Sequence, residues 1–446
     1  MECSARGGKG HFLKKYLLFL ALTLPAQNWP SFRGPGARGV VDKQNLPLEW
    51  DVAAGRNIAW KTEIPGLGLS SPIIWGSLVF VTTAVSSNPK MVFEATLKGE
   101  LDRRQDEAEQ EFRVLAIHSR SGKVAWNVVA GRAKPRVLRH PHNSYASPTP
   151  ATDGKYVVAF FGSEGLFCFD LKGKLIWKKD LGALDQGAFD LPDYQWGSAS
   201  SPVLWQGKVY LQVDMHKGSF LAAFDAASGR ELWRTARDSK PSWSTPTIVE
   251  GPQRTELVAN GVENVCGYDA ETGRELWRVK GTSMISVPTP FVANGLIYVF
   301  SGYSRNIRRS YAIRPGASGD ITGSKESIAW MREEAPYLST PVIVGDQLFT
   351  YSTRGGIMAS YNALTGATLY QQRLGVGTPA SASMVAADGV VYAANEEGEV
   401  YVFRPGAKYE QVAVNAMGET VMATPAISGG TLFIRGARHL FAVRRR

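Results

Sequence analysis

The sequence predicts an all-β fold: an eight-bladed β-propeller of four-stranded antiparallel blades, its ring closed by an N-terminal strand. Three observations carry that expectation. A strand–turn–strand phrase, usually opening on a Ser/Thr–Pro pair, recurs eight times along the 446 residues. A second phrase, a turn followed by a tryptophan, trails most of these copies. Glycine (46) and tryptophan (12) are abundant while no long stretch keeps apolar residues at helical spacing, as suits many short strands joined by tight turns.

In chain order the units begin "SSPIIWGSLVFVTT" (70), "ASPTPATDGKYVVAFF" (146), "SSPVLWQGKVYLQV" (200) and "STPTIVEG" (244). They continue "PTPFVANGLIYVF" (288), "STPVIVGDQLFTYS" (339), "SASMVAADGVVYAA" (381, without the Pro) and "ATPAISGGTLFIRG" (423). Apolar residues alternate on both sides of a Gly- or Asp-containing turn, the pattern of a hairpin. A third strand follows ("LFCFD", "LAAFD", "MASYN"), then a turn and a fourth strand bearing Trp126, Trp177, Trp233 or Trp277. Tyr370 takes that place in one unit, and Trp330 is reached after a longer loop.

In "AAFDAASGRELWRT" (222–235) the Asp side chain can bond turn amides, Ser does so more weakly, and Gly accepts positive φ. The Trp is expected to leave the outer strand and pack on the neighbouring blade, its N–H near a backbone carbonyl. These tryptophans read as architecture. The last unit stops at "HLFAVRRR" without an outer strand, and "RNIAWKTEI" (56–64), with Trp60, is expected to supply it. Pairing first and last strands removes the edges of an open sheet.

One unit is interrupted. Residues 86–112, between its second and third strands, are rich in helix formers and charge, and Leu97 and Leu101 lie four apart. They read as an insertion carrying a short amphipathic helix on the face where propellers bind. At the N-terminus Lys9, Lys14 and Lys15 precede "YLLFLALTL" and "PAQ". That order reads as a secretory signal over 1–26, leaving one propeller domain over 27–446, periplasmic or otherwise exported, without a transmembrane span after cleavage. Cleavage would remove Cys3, leaving Cys168 and Cys266 in strands of different units, expected as buried free thiols. The net charge of +10 is spread along the chain and no nucleic-acid motif is present, so a monomer without a nucleic-acid partner is expected.

Propellers generally bind on the face formed by loops leading into inner strands and loops joining second to third strands. The candidate site residues there are His140, His142, Asn143, Tyr145, Trp196, Asp214, Trp243 and Arg354, with Tyr194, His216, Arg237, Tyr303, Arg305 and Glu396 around them. His140 and His142 in "RHPHNSY" suit a transition metal, but two histidines alone are a weak signal and a polar loop bonded to its own backbone and to Asn143 is the favoured reading, so the metal is left unassigned. Asp214 and His216 read as an acid–base pair or as a turn cap. Trp196 and Trp243, unlike the outer-strand tryptophans, precede inner strands and could floor a planar ligand or line the core. No Ser–His–Asp set or phosphate-binding glycine loop is evident.

The phrase Asp225-x-x-Ser228-Gly229-x-x-x-Trp233 resembles the tryptophan-docking motif of quinoprotein-type eight-bladed propellers, and the likeness covers essentially the whole mature chain. That resemblance implies structural roles for Trp60, Trp126, Trp177, Trp233, Trp277 and Trp330. "NWPSFRGPGARGV" (28–40), "NSYASPTP" and "WGSASSPV" are similar to exported PQQ-like repeat proteins. The superfamily implies two functions. One is a non-catalytic, BamB-like binding or assembly scaffold of the bacterial envelope, with no cofactor, that meets another envelope protein or a small ligand. The other is an alcohol or sugar dehydrogenase using pyrroloquinoline quinone (PQQ) and calcium. The chain has no adjacent cysteine pair and no CxxCH haem motif, which favours the scaffold.

Overall fold

The computed structural model describes residues 1–2, 28–90, 106–187, 191, 194–251, 253–303 and 307–445. The expected signal segment, the expected helix around Leu97 and Leu101, and Arg305 lie outside these residues.

Eight antiparallel sheets follow one another around an axis. Blade 1 comprises Ile73–Trp75, Leu78–Ser86, Gln110–His118 and Val124–Ala133. The inner strands of blades 2 to 7 start at Ala151, Val203, Thr247, Phe291, Val342 and Val385. Blade 8 joins Ala426–Ser428, Thr431–Arg435 and His439–Val443 to Ile58–Glu63, which pairs antiparallel with His439–Val443 and brings Trp60 opposite Ala442. The insertion does sit between second and third strands, but Ser86 and Gln110 already form a ladder pair, so the interruption is shorter than 86–112.

The outer-strand indoles hold consecutive blades together. Nε1 of Trp60, Trp126, Trp177, Trp233 and Trp330 donates to the carbonyls of Ser119, Leu171, Ala226, Ala270 and Ala363 in the next blade, at 2.7–3.3 Å. Each ring covers the turn glycine there; a Cβ on Gly229, at φ 70°, would stand 2.7 Å from Trp177. Trp277 differs. Its Nε1 donates to Glu256 Oε2 of its own blade at 2.7 Å. The next blade has a longer loop in place of the Ser–Gly turn, and part of it, Gly319–Asp320, adds a fifth strand to blade 4 parallel to Trp277 and Arg278. Blade 7 carries Ala413 opposite Val402 where the others carry an aromatic ring. There Trp50 fills the space: its backbone N–H bonds Asn415 Oδ1 and its ring shares the core of blades 7 and 8.

The recurring Ser/Thr–Pro pair has a physical purpose. Ser71, Thr149, Ser201, Thr245, Thr289, Thr340, Ser383 and Thr424 stand at equivalent places around the axis. Six backbone N–H groups of this ring donate to the hydroxyl of the next blade's residue at 2.9–3.0 Å: 71 to 149, 149 to 201, 201 to 245, 289 to 340, 340 to 383 and 383 to 424. These donors precede the ladder and would otherwise be orphaned in a buried channel. The hydroxyl girdle thus stitches inner strands edge to edge.

Residues 28–41 cross beneath this girdle. Trp29 bridges Ile74 of blade 1, Pro30 O accepts from Thr152 of blade 2, and Val40–Val41 pairs parallel with the inner strand of blade 7. Between these points Arg33, fully buried, donates to the carbonyls of Ala37, Arg38, Thr340, Pro341 and Met384 at 2.6–3.2 Å. The segment plugs the axis, with Phe32 facing the channel above.

Cys168 and Cys266 are free, buried thiols, and desolvation pushes them up to about 12 and about 11. Thiolate is the reactive form, so the native protein at pH 8 should resist Ellman's reagent, with reactivity rising only as pH approaches those values. In denaturant the reagent should count two thiols if the first 26 residues have been removed and three, including Cys3, if they remain. Rapid native reaction at pH 8 would contradict the burial of both sulfurs.

Candidate functional site

The channel above the plug is a cavity of about 190 Å³ with two tiers of wall. The lower tier is the hydroxyl girdle. Two residues earlier in each inner-strand approach, and so on the same side of an extended chain, Leu69, Ser147, Ala199, Trp243, Val287, Leu338, Ser381 and Met422 form the upper tier. Phe32 is the floor, and His142 and Asn143 reach the wall from the loop leading into blade 2.

Around the mouth, the structure gathers several sequence-predicted residues and separates others. Trp196 and Trp243 lie with ring centroids 5.5 Å apart, and His140 meets Trp196 edge-on at 5.4 Å. Trp243 Nε1 donates to Gly197 O, while Trp196 O accepts from His140 N and Asn143 Nδ2. These rings join Ile285 and Tyr303 in one buried cluster, and Tyr303 packs on Tyr337. The two indoles therefore lie against each other.

His142 Nε2 faces Glu396 Oε2 at 3.1 Å, both side chains buried. The pair links the loop leading into blade 2 with the second-to-third-strand loop of blade 7, and Glu396 also accepts from Ser381 Oγ. His140 contributes through its own loop: its Nδ1 accepts the N–H of His142.

Asp214 lies within an internal staple between blades 3 and 4. Its carboxylate accepts from Arg237 Nε at 2.7 Å and Nη2 at 3.3 Å, Gln212 Nε2, Ser239 Oγ and Ser242 Oγ, and it is completely buried. Arg237 continues to the Tyr268 hydroxyl. Burial works to lower the Arg237 guanidinium, but the charge and hydrogen bonds of Asp214 together with Tyr268 and Cys266 hold it above its ordinary value. His216 pairs with Asp185 instead, at 3.1 Å. Tyr145 belongs to the core between blades 1 and 2, where desolvation pushes its phenol up, and Arg354 stands exposed on the loop after Gln347–Tyr351. Among the described residues no three His, Cys, Asp or Glu side chains are arranged to hold a metal ion.

Sequence reasoning missed the girdle as a cavity wall, Phe32 as its floor, and Glu396 as the partner of His142. The eight Ser/Thr positions were visible as a repeat, and that regularity was the available signal. Exposed apolar residues on the same face were also missed: Leu191, Met284, Ile307 and Val376, the last 87% exposed.

Comparisons with known proteins place the whole propeller. The family model described as outer membrane protein assembly factor BamB matches residues 36–213 and 217–446. BamB from Moraxella catarrhalis superposes with a TM-score of 0.54 at 13% identity, covering 79% of this chain and 100% of that one. A europium-containing methanol dehydrogenase gives 0.64 at 9% identity, covering 94% and 91%. The computationally designed Ika8 protein gives 0.54 at 10%, covering 86% and 98%. At these identities the structural likenesses establish the fold alone. No curated protein matches the sequence.

Proposed function

Because the chain belongs to the PQQ-like repeat propeller family described as outer membrane protein assembly factor BamB, we propose that it is an exported, non-catalytic scaffold of the cell envelope that holds another protein on its upper face. The observation that carries this reading is the state of the two carboxylates that the sequence placed among the candidate residues of this face. Asp214 is committed to Arg237 and Glu396 to His142, so a cation could use either only by displacing a buried partner. Neither carboxylate, placed as it is, suits a calcium ion beside a quinone.

What the face offers is apolar surface. Leu191, Met284, Ile307 and Val376 are exposed on upper-face loops of blades 3, 5 and 7, apolar surface of the kind found at protein interfaces. No helix among the described residues is long and apolar enough to cross a membrane. Photo-crosslinkers at Met284 and Val376 should each yield a discrete adduct in intact envelopes, and one at Leu364, in the opposite-face turn of blade 6, should yield none. Equal yields from both faces, or saturable binding of PQQ with calcium by calorimetry, would overturn the proposal.

A further inference from the structure

The axial cavity has chemistry that a protein-docking face does not require. Serine and threonine hydroxyls each carry one proton to donate and lone pairs to accept. In the girdle, the hydroxyls of Thr149, Ser201, Thr245, Thr340, Ser383 and Thr424 accept a backbone N–H, and none donates to an acceptor among the described residues. Thr289 Oγ1 is buried without any partner, and Ser71 Oγ accepts no girdle N–H. The lower tier therefore presents a ring of O–H donors with the cavity as their outlet.

Behind that ring stands a buried cation. The Arg33 guanidinium contacts the carbonyls of Thr340, Pro341 and Met384, which belong to the girdle and the residues just after it, and pairs with no carboxylate among the described residues. An uncompensated charge in a weakly polar interior attracts an opposite one over several ångströms. The upper tier, by contrast, is largely apolar: Leu69, Ala199, Trp243, Val287, Leu338 and Met422. Among the described residues no acidic side chain lines the cavity, and the nearby Glu396 is engaged by His142 and Ser381.

We propose that the axial cavity binds a small organic carboxylate, its oxygens on the hydroxyl girdle and its apolar body in the tier above. The size agrees: a cavity of roughly 150 Å³ holds a benzene molecule, and this one measures about 190 Å³. Recognition involves no bond making; the site shares Trp243 with the aromatic cluster above, but its lining includes none of the exposed Leu191, Met284, Ile307 and Val376 of the face.

Benzoate is the probe, titrated into the full-length mature protein at neutral pH by calorimetry, with benzyl alcohol as its neutral counterpart. Saturable benzoate binding with a Kd near ~1 mM or tighter is expected, and benzyl alcohol should bind at least tenfold more weakly. Thr289→Val and Ser71→Ala remove hydroxyls that accept no girdle N–H, so the ring stays stitched. Each should weaken benzoate about three- to tenfold, the effect of one hydrogen bond. Ala199→Leu, which fills the upper tier, should abolish binding, and thermal unfolding of each variant verifies that it is folded. Absence of saturable heat, equal affinity for the alcohol, or affinity unchanged in all three folded variants would overturn the proposal. Loss of benzoate binding in these variants with face crosslinking intact would separate this site from the docking function.

Discussion

Asp214→Ala should destabilise the propeller by about 3–5 kcal/mol, because it strands the Arg237 guanidinium in a site that excludes water. Arg237 is 7% exposed and Asp214 0%, and the remaining partner of the guanidinium, the Tyr268 hydroxyl, carries no compensating charge. Urea unfolding monitored by tryptophan emission measures the loss. Replacing both partners, as Asp214→Leu with Arg237→Met, should recover much of it, since the apolar pair leaves no buried charge. A single-variant loss below about 1 kcal/mol would show that water reaches the staple and that the pair behaves as a surface ion pair.

Trp60→Ala is the second large effect. Emptying a buried indole site costs about 3–5 kcal/mol, and Trp126→Ala, at a ring only partly buried, should lose somewhat less. The two variants should differ in what else they release. Trp60 lies on the one strand that joins the ends of the ring, opposite Ala442, whereas Trp126 lies inside a continuous blade. Amide exchange in residues 439–443 should therefore accelerate strongly in Trp60→Ala and stay protected in Trp126→Ala. Equal protection in both would mean that the ladder of blade 8, rather than the indole, holds the closure.

The fold was legible because its signals are local and repeated. Period-two alternation, a turn glycine and a fixed Trp offset recur within each unit, so one correct reading propagated around the ring, and the lack of an outer strand after "HLFAVRRR" pointed to "RNIAWKTEI". The same regularity concealed the exceptions. Trp277 occupies the expected register, but the turn its neighbours would cover is replaced by a loop that runs alongside it. Nothing near Ala413 in the sequence points to Trp50 as the ring beside it.

The site was legible only to the level of which loops meet. Blade position placed His142, Asn143 and Trp243 on the cavity wall, but it could not distinguish Asp214, whose side chain turns into the blade interface toward Arg237. Alternation in a loop does not specify which way a side chain points. His142 and Glu396 meet from blades 2 and 7, and no local pattern encodes a pairing made by ring closure. Phe32 and Arg33 belong to a stretch without strand periodicity, and its packing is dictated by the hole it fills.

The plug and the closing strand also set a timetable. Residues 28–41 find their partners in blades 1, 2, 6 and 7, and residues 58–63 pair with 439–443. During synthesis the earliest of these segments must therefore wait, unsatisfied, for nearly the whole remaining chain. Contacts of such long sequence separation make folding slow. A product truncated before residue 439 would keep exposed apolar strand edges that invite capture by chaperones or proteases.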